Sequence, residues 1–344
     1  MHFASDNWAG ATPGVMAALA RHNGGFATAY GGDELTAAVK QRFSAIFEHD
    51  VEVFFTGTGT AANALSMAAC ARAGGLMFSS ADAHLRNDEY GASEFFTQGM
   101  KVVPVACKVG KISFAGIEAA LAAYPEGNRT GRPTVLSLTN ATEAGTLYGA
   151  AEVGALAKHA HQNGLLVHMD GARFANAVAG TGATPAELTW KAGVDLMSFG
   201  ATKNGCWAAE AIVVFTPGRL ADLEVLKSRA GHTFSKSRFV AAQFEAYFEN
   251  GHWLDNAAHA NAMARRLADG LTATGRARLG WPVEANEVFP VLPGATVERL
   301  REAGAMFHPW TSDDVALGPD EQLVRLVTSW ATTPEDVERF LALV

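Results

Sequence analysis

Short, continuous apolar segments alternate with longer helical patterns over the first two thirds of the chain, and this alternation restricts the possible folds most strongly. Examples of the apolar segments are "VEVFF" (Val51–Phe55), "LLVHMD" (Leu165–Asp170) and "AIVVFT" (Ala211–Thr216). Helical patterns lie between them, at Ala61–Ala73 and Glu152–Gln162. Strands that are buried on both faces have continuous apolar runs of this kind. The alternation therefore predicts an α/β domain with a mostly parallel sheet.

The pattern changes after about residue 239. Ala241–Leu271 is typical of one or two long helices, and a strand, a helix and a second strand follow it. The last helix begins after Thr333, an N-cap residue that stands directly before Pro334. We therefore expect a large domain over residues 1–245 and a smaller C-terminal α/β domain over residues 246–344.

Net charge, cysteine count and hydropathy exclude several classes of protein. The 344 residues carry a formal net charge of −8, which argues against nucleic acid as a partner because phosphate binding needs a basic surface. The three cysteines argue against a disulfide framework and for a reducing compartment. No apolar run reaches the roughly 18 residues of a membrane helix, and the first residues, "MHFASDNWAG", lack the pattern of a signal peptide. We expect a cytoplasmic protein that binds neither nucleic acid nor a membrane.

The segment "TGTGTAA" (Thr56–Ala62) follows a predicted strand and opens a predicted helix. The unpaired N–H groups and the dipole at a helix start favour an anion, so this segment is a candidate phosphate cradle. It also fits the dinucleotide fingerprint G-x-G-x-x-G/A, with Asp82 near the expected acidic position. Phosphate binding, NAD binding and a plain strand–helix turn are therefore all open at this point.

Two further polar residues stand where predicted strands end. His84 follows the strand "LMFSS" and could stack on a ligand, protonate it, or be a solvated histidine. Asp170 ends an apolar strand, where a carboxylate is costly unless it is paired. Its partner could be Arg173 in a purely structural ion pair, or a cationic nitrogen of a ligand. His168 could orient the Asp170 carboxylate or could simply be packed.

Lys203 lies among small and polar residues in "SFGATKNG" (Ser198–Gly205), directly after another predicted strand. Taken alone, it would be a surface-loop lysine. Together, however, the strand ends supply phosphate donors, an imidazole, a carboxylate and an amine. Pyridoxal phosphate needs an anion-binding cradle, a group that stacks on its ring, an acid for its pyridine nitrogen and a lysine for its aldehyde. NAD needs neither the buried carboxylate nor the lysine, so we expect pyridoxal 5'-phosphate as the cofactor.

The segments "AYGGDE", "TGTAAN", "HMDGARFANA" and "SFGATKNG" occur in an order that resembles the L-threonine aldolase family of fold-type I pyridoxal phosphate enzymes. The resemblance covers nearly the whole chain, and "ATEAGTLY" and "VEANEVF" are similar to the low-specificity, phenylserine-aldolase-like subgroup. It implies an aspartate aminotransferase-like large domain and a homodimer or homotetramer with its site at the subunit interface, without a metal. It also implies aldol cleavage of L-β-hydroxy-α-amino acids, namely L-threonine, L-allo-threonine and L-phenylserine, to glycine and an aldehyde.

The resemblance implies roles for individual residues that bind the cofactor. Lys203 would form a Schiff base with it, Asp170 would pair with its pyridine nitrogen, and His84 would stack on its ring. Gly59 and Thr60 would hold its phosphate group at the helix start.

The resemblance also implies which residues bind and convert the substrate. Arg173 would contact either the ring hydroxyl group or the substrate carboxylate. Arg325 would bind that carboxylate with its fork of donors, assisted by Ser5. His84, besides stacking, is the candidate base that removes the β-hydroxyl proton.

One position departs from the family pattern. When Asn140 is aligned, Thr142 stands where threonine aldolases commonly carry a histidine, so a role in recognising the β-hydroxyl group cannot be carried over. We expect Thr142 to leave more room beside the β-carbon and to loosen the choice between diastereomers. The alternatives are a β-eliminating lyase, an aminotransferase on a small amino acid and, more remotely, an NAD-dependent enzyme that uses Gly57–Ala62.

Overall fold

The computed structural model describes residues 1–125, 129–218, 220 and 222–344. The strands are β1 (Glu52–Thr56), β2 (Gly75–Ser80), β3 (Lys101–Val105), β4 (Cys107–Lys108), β5 (Lys111–Ile112), β6 (Arg132–Thr139), β7 (Leu166–Gly171), β8 (Leu196–Gly200), β9 (Glu210–Val214), β10 (Arg278–Leu279), β11 (Glu287–Val288), β12 (Pro290–Pro293), β13 (His308–Pro309) and β14 (Glu321–Val327). The α-helices are α1 (Pro13–Arg21), α2 (Glu34–Phe47), α3 (Gly59–Ala69), α4 (His84–Asn87), α5 (Ala92–Phe96), α6 (Phe114–Ala122), α7 (Ala150–Gln162), α8 (Phe174–Thr181), α9 (Pro185–Leu188), α10 (Leu223–Arg229), α11 (Arg238–Phe248), α12 (His252–Ala273), α13 (Gly294–Glu302) and α14 (Pro334–Leu341).

The larger sheet has seven strands in the order β1-β9-β8-β7-β6-β2-β3. Strands β8, β7, β6, β2 and β3 pair in parallel, whereas β9 is antiparallel to both of its neighbours, β1 and β8. Strand β1 therefore runs in the same direction as the parallel strands, and six carboxyl ends meet at one edge of the sheet. The predicted α/β fold with a mostly parallel sheet is confirmed.

Aromatic side chains fill the layer between this sheet and helices α2 and α11. The ring of Phe43, in α2, has its centroid 5.2 Å from that of Phe199 in β8 and 5.1 Å from that of Phe244 in α11. All three residues are fully buried. Burial of a phenylalanine side chain stabilises a fold by about 1.5–3 kcal/mol, so this cluster fixes β8, and hence the loop that follows it, against its supporting helices.

A second, smaller sheet in the order β10-β12-β14-β11, with β13 beside β14, accompanies helices α12, α13 and α14. Phe3 also belongs to this second core, and its ring lies 5.2 Å from that of Phe340 in α14. The boundary of the two domains near residue 245 stays a prediction.

One predicted helix ends earlier than expected, and the structure decides between the one or two helices predicted for another segment, each for a local reason. The helix predicted over Ala61–Ala73 is α3, which ends at Ala69 because Cys70 caps it and the chain turns towards β2. The pattern over Ala241–Leu271 gives two helices, because Asn250 and Gly251 take left-handed backbone angles (φ 51° and 79°) that end one helix before the next begins.

The described ranges contain no helix that is both long and apolar enough to cross a membrane. Within the described ranges, Cys70, Cys107 and Cys206 are not joined by disulfide bonds. Within the same ranges, no group of three or more His, Cys, Asp or Glu side chains is arranged to hold a metal ion.

Candidate active site

A cavity of about 320 Å³ opens at the carboxyl edge of the larger sheet. Loops that follow β1, β2, β6, β7 and β8 form its wall, as expected for a parallel sheet, in which ligands bind outside the carboxyl ends of the strands. Six of the predicted site residues line it: Gly59, Thr60, His84, Asp170, Arg173 and Lys203. Ser5 and Arg325 are not among the described residues that line it.

The start of α3 forms the anion-binding part of the wall. The side chain of Thr58 caps the helix by accepting a hydrogen bond from the N–H group of Ala61. The N–H groups of Gly59 and Thr60 have no hydrogen-bond partner among the described residues. Two free donors at the positive end of a helix dipole suit a phosphate group. Asp82, which the dinucleotide alternative requires, is not among the described lining residues.

Asp170 stands near the end of β7 and is only 3% exposed. Its Oδ1 accepts a hydrogen bond from the N–H group of Ala172 at 3.0 Å, and its Oδ2 accepts one from the amide of Asn63 at 2.8 Å. Its ion pair with Arg173, which the sequence left open, is not formed. His168, two residues earlier, bonds Ser137 and Ser198 instead of Asp170, and burial lowers its pKa to about 4. The carboxylate is therefore held by neutral donors and faces the cavity.

Lys203 lies in a single 3₁₀ turn directly after β8. Its Nζ forms no hydrogen bond or ion pair with any residue that the structure describes. The small residues around it allow close backbone contacts: a side chain on Gly200 would come within 2.6 Å of the carbonyl oxygen of Ala172. Gly205 has a φ of 114°, a conformation that favours glycine. The segment is thus shaped to bring the loops after β7 and β8 together, with a free amine between them.

His84 begins α4 and is held by a buried carboxylate. Its Nδ1 lies 2.9 Å from Oε1 of Glu89, whose side chain is completely buried, and that same oxygen accepts a hydrogen bond from Asn63 at 2.9 Å. The hydrogen bond to Glu89 raises the pKa of His84, and burial raises the pKa of Glu89. Because Asn63 also bonds Asp170, one amide connects the carboxylate at the end of β7 with the carboxylate behind the imidazole.

Arg173 follows β7 and forms a buried ion pair with a residue near the amino terminus. Its Nε and Nη2 donate to the two carboxylate oxygens of Asp6 at 2.7 and 3.1 Å, and its Nη2 lies 3.5 Å from Oε1 of Glu287. Burial disfavours charge on Arg173, but the two carboxylates outweigh that cost and raise its pKa. Arg173 is thus a cation at the cavity wall, fixed by Asp6.

The two remaining predicted residues, Ser5 and Arg325, make contacts of other kinds. Ser5 caps a short 3₁₀ helix, Asp6–Trp8, by accepting a hydrogen bond from the N–H group of Asn7. Arg325, in β14, places its guanidinium 5.2 Å from the centre of the Trp310 ring, and its Nε is buried without a hydrogen-bond partner among the described residues. Their predicted contacts with substrate stay predictions.

The expected position of Thr142 beside the β-carbon is wrong, because Thr142 is not among the described residues that line the cavity. A loose choice between diastereomers stays a prediction. Thr142 is fully buried, and its hydroxyl group bonds that of Thr146 at 2.8 Å inside a tight turn. A side chain on Gly110 would meet Thr142 at 2.6 Å, so there is no free space around it. The next residue, Glu143, lines the cavity instead.

The lining residues that were not predicted as site residues include an amide and three carboxylates, namely Asn63, Glu89, Glu143 and Glu210. Some of them carry a signal that could have been used. Asn63 is the amide in an alanine-rich helix start, "GTAANA", and Glu210 is a carboxylate that opens the apolar strand "EAIVV". Burial raises the pKa of Glu143 and that of Glu210, each to about 7. A polar residue inside an apolar segment is the common signal.

This set of groups fits pyridoxal phosphate. A free amine on Lys203, a carboxylate on Asp170 held by neutral donors, and free N–H groups at the start of α3 are the partners that its aldehyde, pyridine nitrogen and phosphate require.

Solved structures with the same fold support this reading of the site. A Leishmania major threonine aldolase superposes with a TM-score of 0.92 at 28% identity, over 99% of this chain and 98% of that one. A lysine-to-alanine variant of serine palmitoyltransferase from S. paucimobilis, solved with a bound PLP–myriocin aldimine, superposes with a TM-score of 0.70 at 17% identity, over 100% of this chain and 86% of that one. The fold and the site define a pyridoxal-phosphate-dependent enzyme of fold type I.

Sequence comparisons give the family. The family model for beta-eliminating lyases matches residues 2–292. A low specificity L-threonine aldolase from Pseudomonas aeruginosa is 41% identical over 98% of this chain and 94% of its own length, and one from Pseudomonas sp. (strain NCIMB 10558) is 39% identical over 99% and 96%. The chain belongs to the beta-eliminating lyase family, among the L-threonine aldolases. The resemblance seen in the sequence is therefore confirmed.

Proposed function

We propose that the chain cleaves L-β-hydroxy-α-amino acids to glycine and an aldehyde, and that it accepts L-threonine, L-allo-threonine and L-phenylserine. The observation that carries the proposal is the free amine of Lys203 in one cavity with the Asp170 carboxylate and the start of α3. The similarity to two enzymes named low specificity L-threonine aldolase supports the reaction and the breadth of substrates.

The residues that bind the cofactor follow from their positions in the cavity. Lys203 would hold the cofactor covalently, and Asp170 would bind its protonated pyridine nitrogen. Gly59 and Thr60 would bind its phosphate group through their N–H groups, while His84 would cover one face of its ring. When bound, pyridoxal phosphate stabilises the electron pair that remains on Cα after the Cα–Cβ bond breaks.

The substrate carboxylate is assigned to the cationic side of the site. Arg173 borders the cavity directly and lies 3.5 Å from the buried carboxylate of Glu287, and the charge of Arg325 also acts on that carboxylate. Ser5 precedes Asp6, the partner of Arg173, and can assist through the same short segment. A guanidinium suits this task because its planar fork matches a carboxylate.

The experiment is to identify the products when L-threonine, L-allo-threonine and L-phenylserine are each given to the purified holoenzyme. Equal amounts of glycine and acetaldehyde or benzaldehyde are expected. A β-eliminating lyase would instead release ammonia and a 2-oxo acid from these substrates, and an aminotransferase would convert them only with a keto acid acceptor. Either of those outcomes, without glycine, would contradict the proposal.

We also propose a homodimer or homotetramer with the site at a subunit interface, in the cytoplasm. Large aromatic side chains that are fully exposed, Phe26 and Tyr90, support the first part, because Tyr90 directly follows the cavity residue Glu89. The absence of disulfide bonds among the described cysteines is consistent with a reducing compartment. Sedimentation equilibrium measures the oligomeric state, and a monomer would contradict the interface.

A further inference from the structure

Glu143 lines the cavity, and one of its two carboxylate oxygens has no hydrogen-bond donor among the described residues. It lies in the loop after β6, and its Oε1 accepts hydrogen bonds from the N–H group of His84 at 2.8 Å and from the hydroxyl group of Thr139 at 3.2 Å. Its Oε2 is buried and has no hydrogen-bond partner among the described residues. A buried acceptor without a donor costs free energy, so a carboxylate that is fixed in this way is arranged for a donor from a ligand.

We propose that Oε2 of Glu143 binds the β-hydroxyl group of the substrate and accepts its proton. This assignment rests on the proposed function. In the step, the O–H bond breaks and the proton passes to Glu143, while the electron pair of that bond forms the second C–O bond of the aldehyde. The Cα–Cβ bond breaks, and its electron pair remains on Cα, which takes up a proton from solvent before the fragment is released as glycine. Glu143 then returns its own proton to solvent, so that no proton is consumed overall.

Glu143 suits this step better than His84, the candidate from the sequence. Nδ1 of His84 is occupied by Glu89, and that hydrogen bond raises the pKa of His84, so that a larger fraction of the ring already carries a proton and a smaller fraction is available as a base at a given pH. Thr142, at the position of the family's histidine, points into the protein. Glu143 is the residue of this turn that reaches the cavity.

The electrostatic surroundings allow Glu143 to gain and lose a proton near neutral pH. Burial and the charge of Asp170 raise its pKa to about 7. The other titratable or charged groups that face it from neighbouring elements are Arg173 after β7, His84 in α4 and Tyr148 before α7. A general base works best when its pKa lies near the working pH.

The test is Glu143→Gln, which keeps the shape of the side chain and an acceptor for His84 and Thr139. We expect kcat/KM for L-threonine cleavage to fall about 10²–10⁴-fold, the usual contribution of a general base. Exchange of the α-proton of glycine with solvent deuterium, followed by NMR, needs no β-hydroxyl group and should stay within about twofold of the wild-type rate, a change of under 1 kcal/mol in barrier. Thr142→Ser, the control in the same turn, should cleave threonine at close to the wild-type rate.

Binding supplies a second measurement, which does not depend on turnover. Rapid mixing of the holoenzyme with L-serine or L-alanine compares two ligands that differ by the hydroxyl group. Wild type should bind L-serine more tightly, and Glu143→Gln should reduce that preference about fivefold, because a hydrogen bond to a charged group is replaced by one to a neutral amide.

The outcomes separate this assignment from the proposed function. Glycine release by wild type tests the function alone. If wild type releases glycine and Glu143→Gln cleaves threonine equally fast, or if glycine exchange falls as much as cleavage, the assignment is wrong and the function stands. Should the variant not fold, the pH profiles of the wild-type enzyme decide. The rate of threonine cleavage must fall as the pH drops through about 7, and the rate of glycine α-proton exchange must not show this acidic limb of the profile. A shared limb would overturn the assignment.

Discussion

Asp6, near the amino terminus, holds Arg173 at the cavity wall through two hydrogen bonds of 2.7 and 3.1 Å. Asn286 donates a further hydrogen bond to the same Asp6 carboxylate at 3.1 Å. Both partners of this ion pair are largely buried, with 11% of the Arg173 side chain and 2% of the Asp6 side chain exposed. The pair thus ties the first residues of the chain to the active site.

Asp6→Asn should leave the buried guanidinium of Arg173 with weaker compensation. Removal of one member of a buried pair costs about 3 kcal/mol, so we expect a loss of that size in the free energy of unfolding by urea at pH 7. Burial raises the pKa of Asp6, but Arg173 and Lys203 outweigh burial and hold it below its usual value. The contribution is therefore complete above the usual aspartate pKa of about 4 and is lost only as the pH falls through the lower folded pKa. The exposed Asp313→Asn is the control, and equal stability losses in the two variants would contradict the prediction.

Lys203→Ala should remove covalent attachment of the cofactor. We expect kcat to fall about 10³-fold or more, since the nucleophile that splits the reaction into easier steps is lost. Borohydride reduction of the holoenzyme followed by peptide mapping locates the attachment directly. Lys191→Ala, at a surface lysine paired with Glu48, should keep both the label and the activity. A label at any lysine other than Lys203 would show that the assignment is wrong.

Asp170→Asn should impair catalysis more than cofactor binding. In the wild type, Ala172 and Asn63 each donate a hydrogen bond to one carboxylate oxygen of Asp170. The amide of the variant has only one oxygen. If that oxygen accepts from Ala172, the NH₂ group of the variant faces the NH₂ group of Asn63, and the second hydrogen bond is lost. We expect a fall in kcat of roughly 10²-fold or more, because the pyridine nitrogen loses its anionic partner, at about 1.4 kcal/mol for each tenfold step. Fluorescence titration with pyridoxal phosphate measures binding separately. Near-normal kcat would mean that Asp170 has only a structural role.

Glu89→Gln should lower the pKa of His84. The hydrogen bond from Glu89 raises that pKa in the wild type, so its loss moves the titration towards the ordinary histidine value and reduces the charged fraction of the ring near neutral pH. NMR titration of the histidine ring protons measures this in the cofactor-free protein. Glu48→Gln, the same change at an exposed carboxylate, is the control. An unchanged titration of His84 would refute the coupling.

Arg325→Ala should raise KM for every amino acid substrate. Loss of a charge-assisted fork to the α-carboxylate costs about 1.5–3 kcal/mol, which is about ten- to a hundredfold in KM. Arg301→Ala is a matched control, because Arg301 also lies over an aromatic ring, that of Phe307 at 5.5 Å. Unchanged KM values would show that Arg325 serves only its contact with Trp310.

The sequence predicted the strands of the larger sheet and the polar residues that follow them, because both depend on local pattern. An apolar run makes β7 a buried strand, and a carboxylate at its end must find a partner, so Asp170 was accessible from sequence alone. The antiparallel direction of β9 was not predicted, although the sequence contains a signal for it. Residues 201–209, which connect β8 with β9, are too few for the crossover that a parallel pair of strands needs.

The contacts between these residues were not predictable, because packing of distant segments decides them. Asn63 donates hydrogen bonds to both Glu89 and Asp170, and Asp170 is 107 residues away from Asn63 in the sequence. Nothing in the helix pattern of α3 indicates either partner. The position of Thr142 was not predicted correctly, because its side chain forms a hydrogen bond with Thr146 inside the turn. The next residue, Glu143, lines the cavity instead.

The packing of Phe3 against Phe340 has a consequence for synthesis of the chain. The two rings belong to one core, yet almost the entire sequence separates them. During translation Phe3 therefore leaves the ribosome long before its partner exists, and the C-terminal core cannot close until α14 has emerged. Contacts of such high sequence separation form late and slowly. Nascent chains that stall before α14 should therefore expose an apolar N-terminal segment that chaperones can bind.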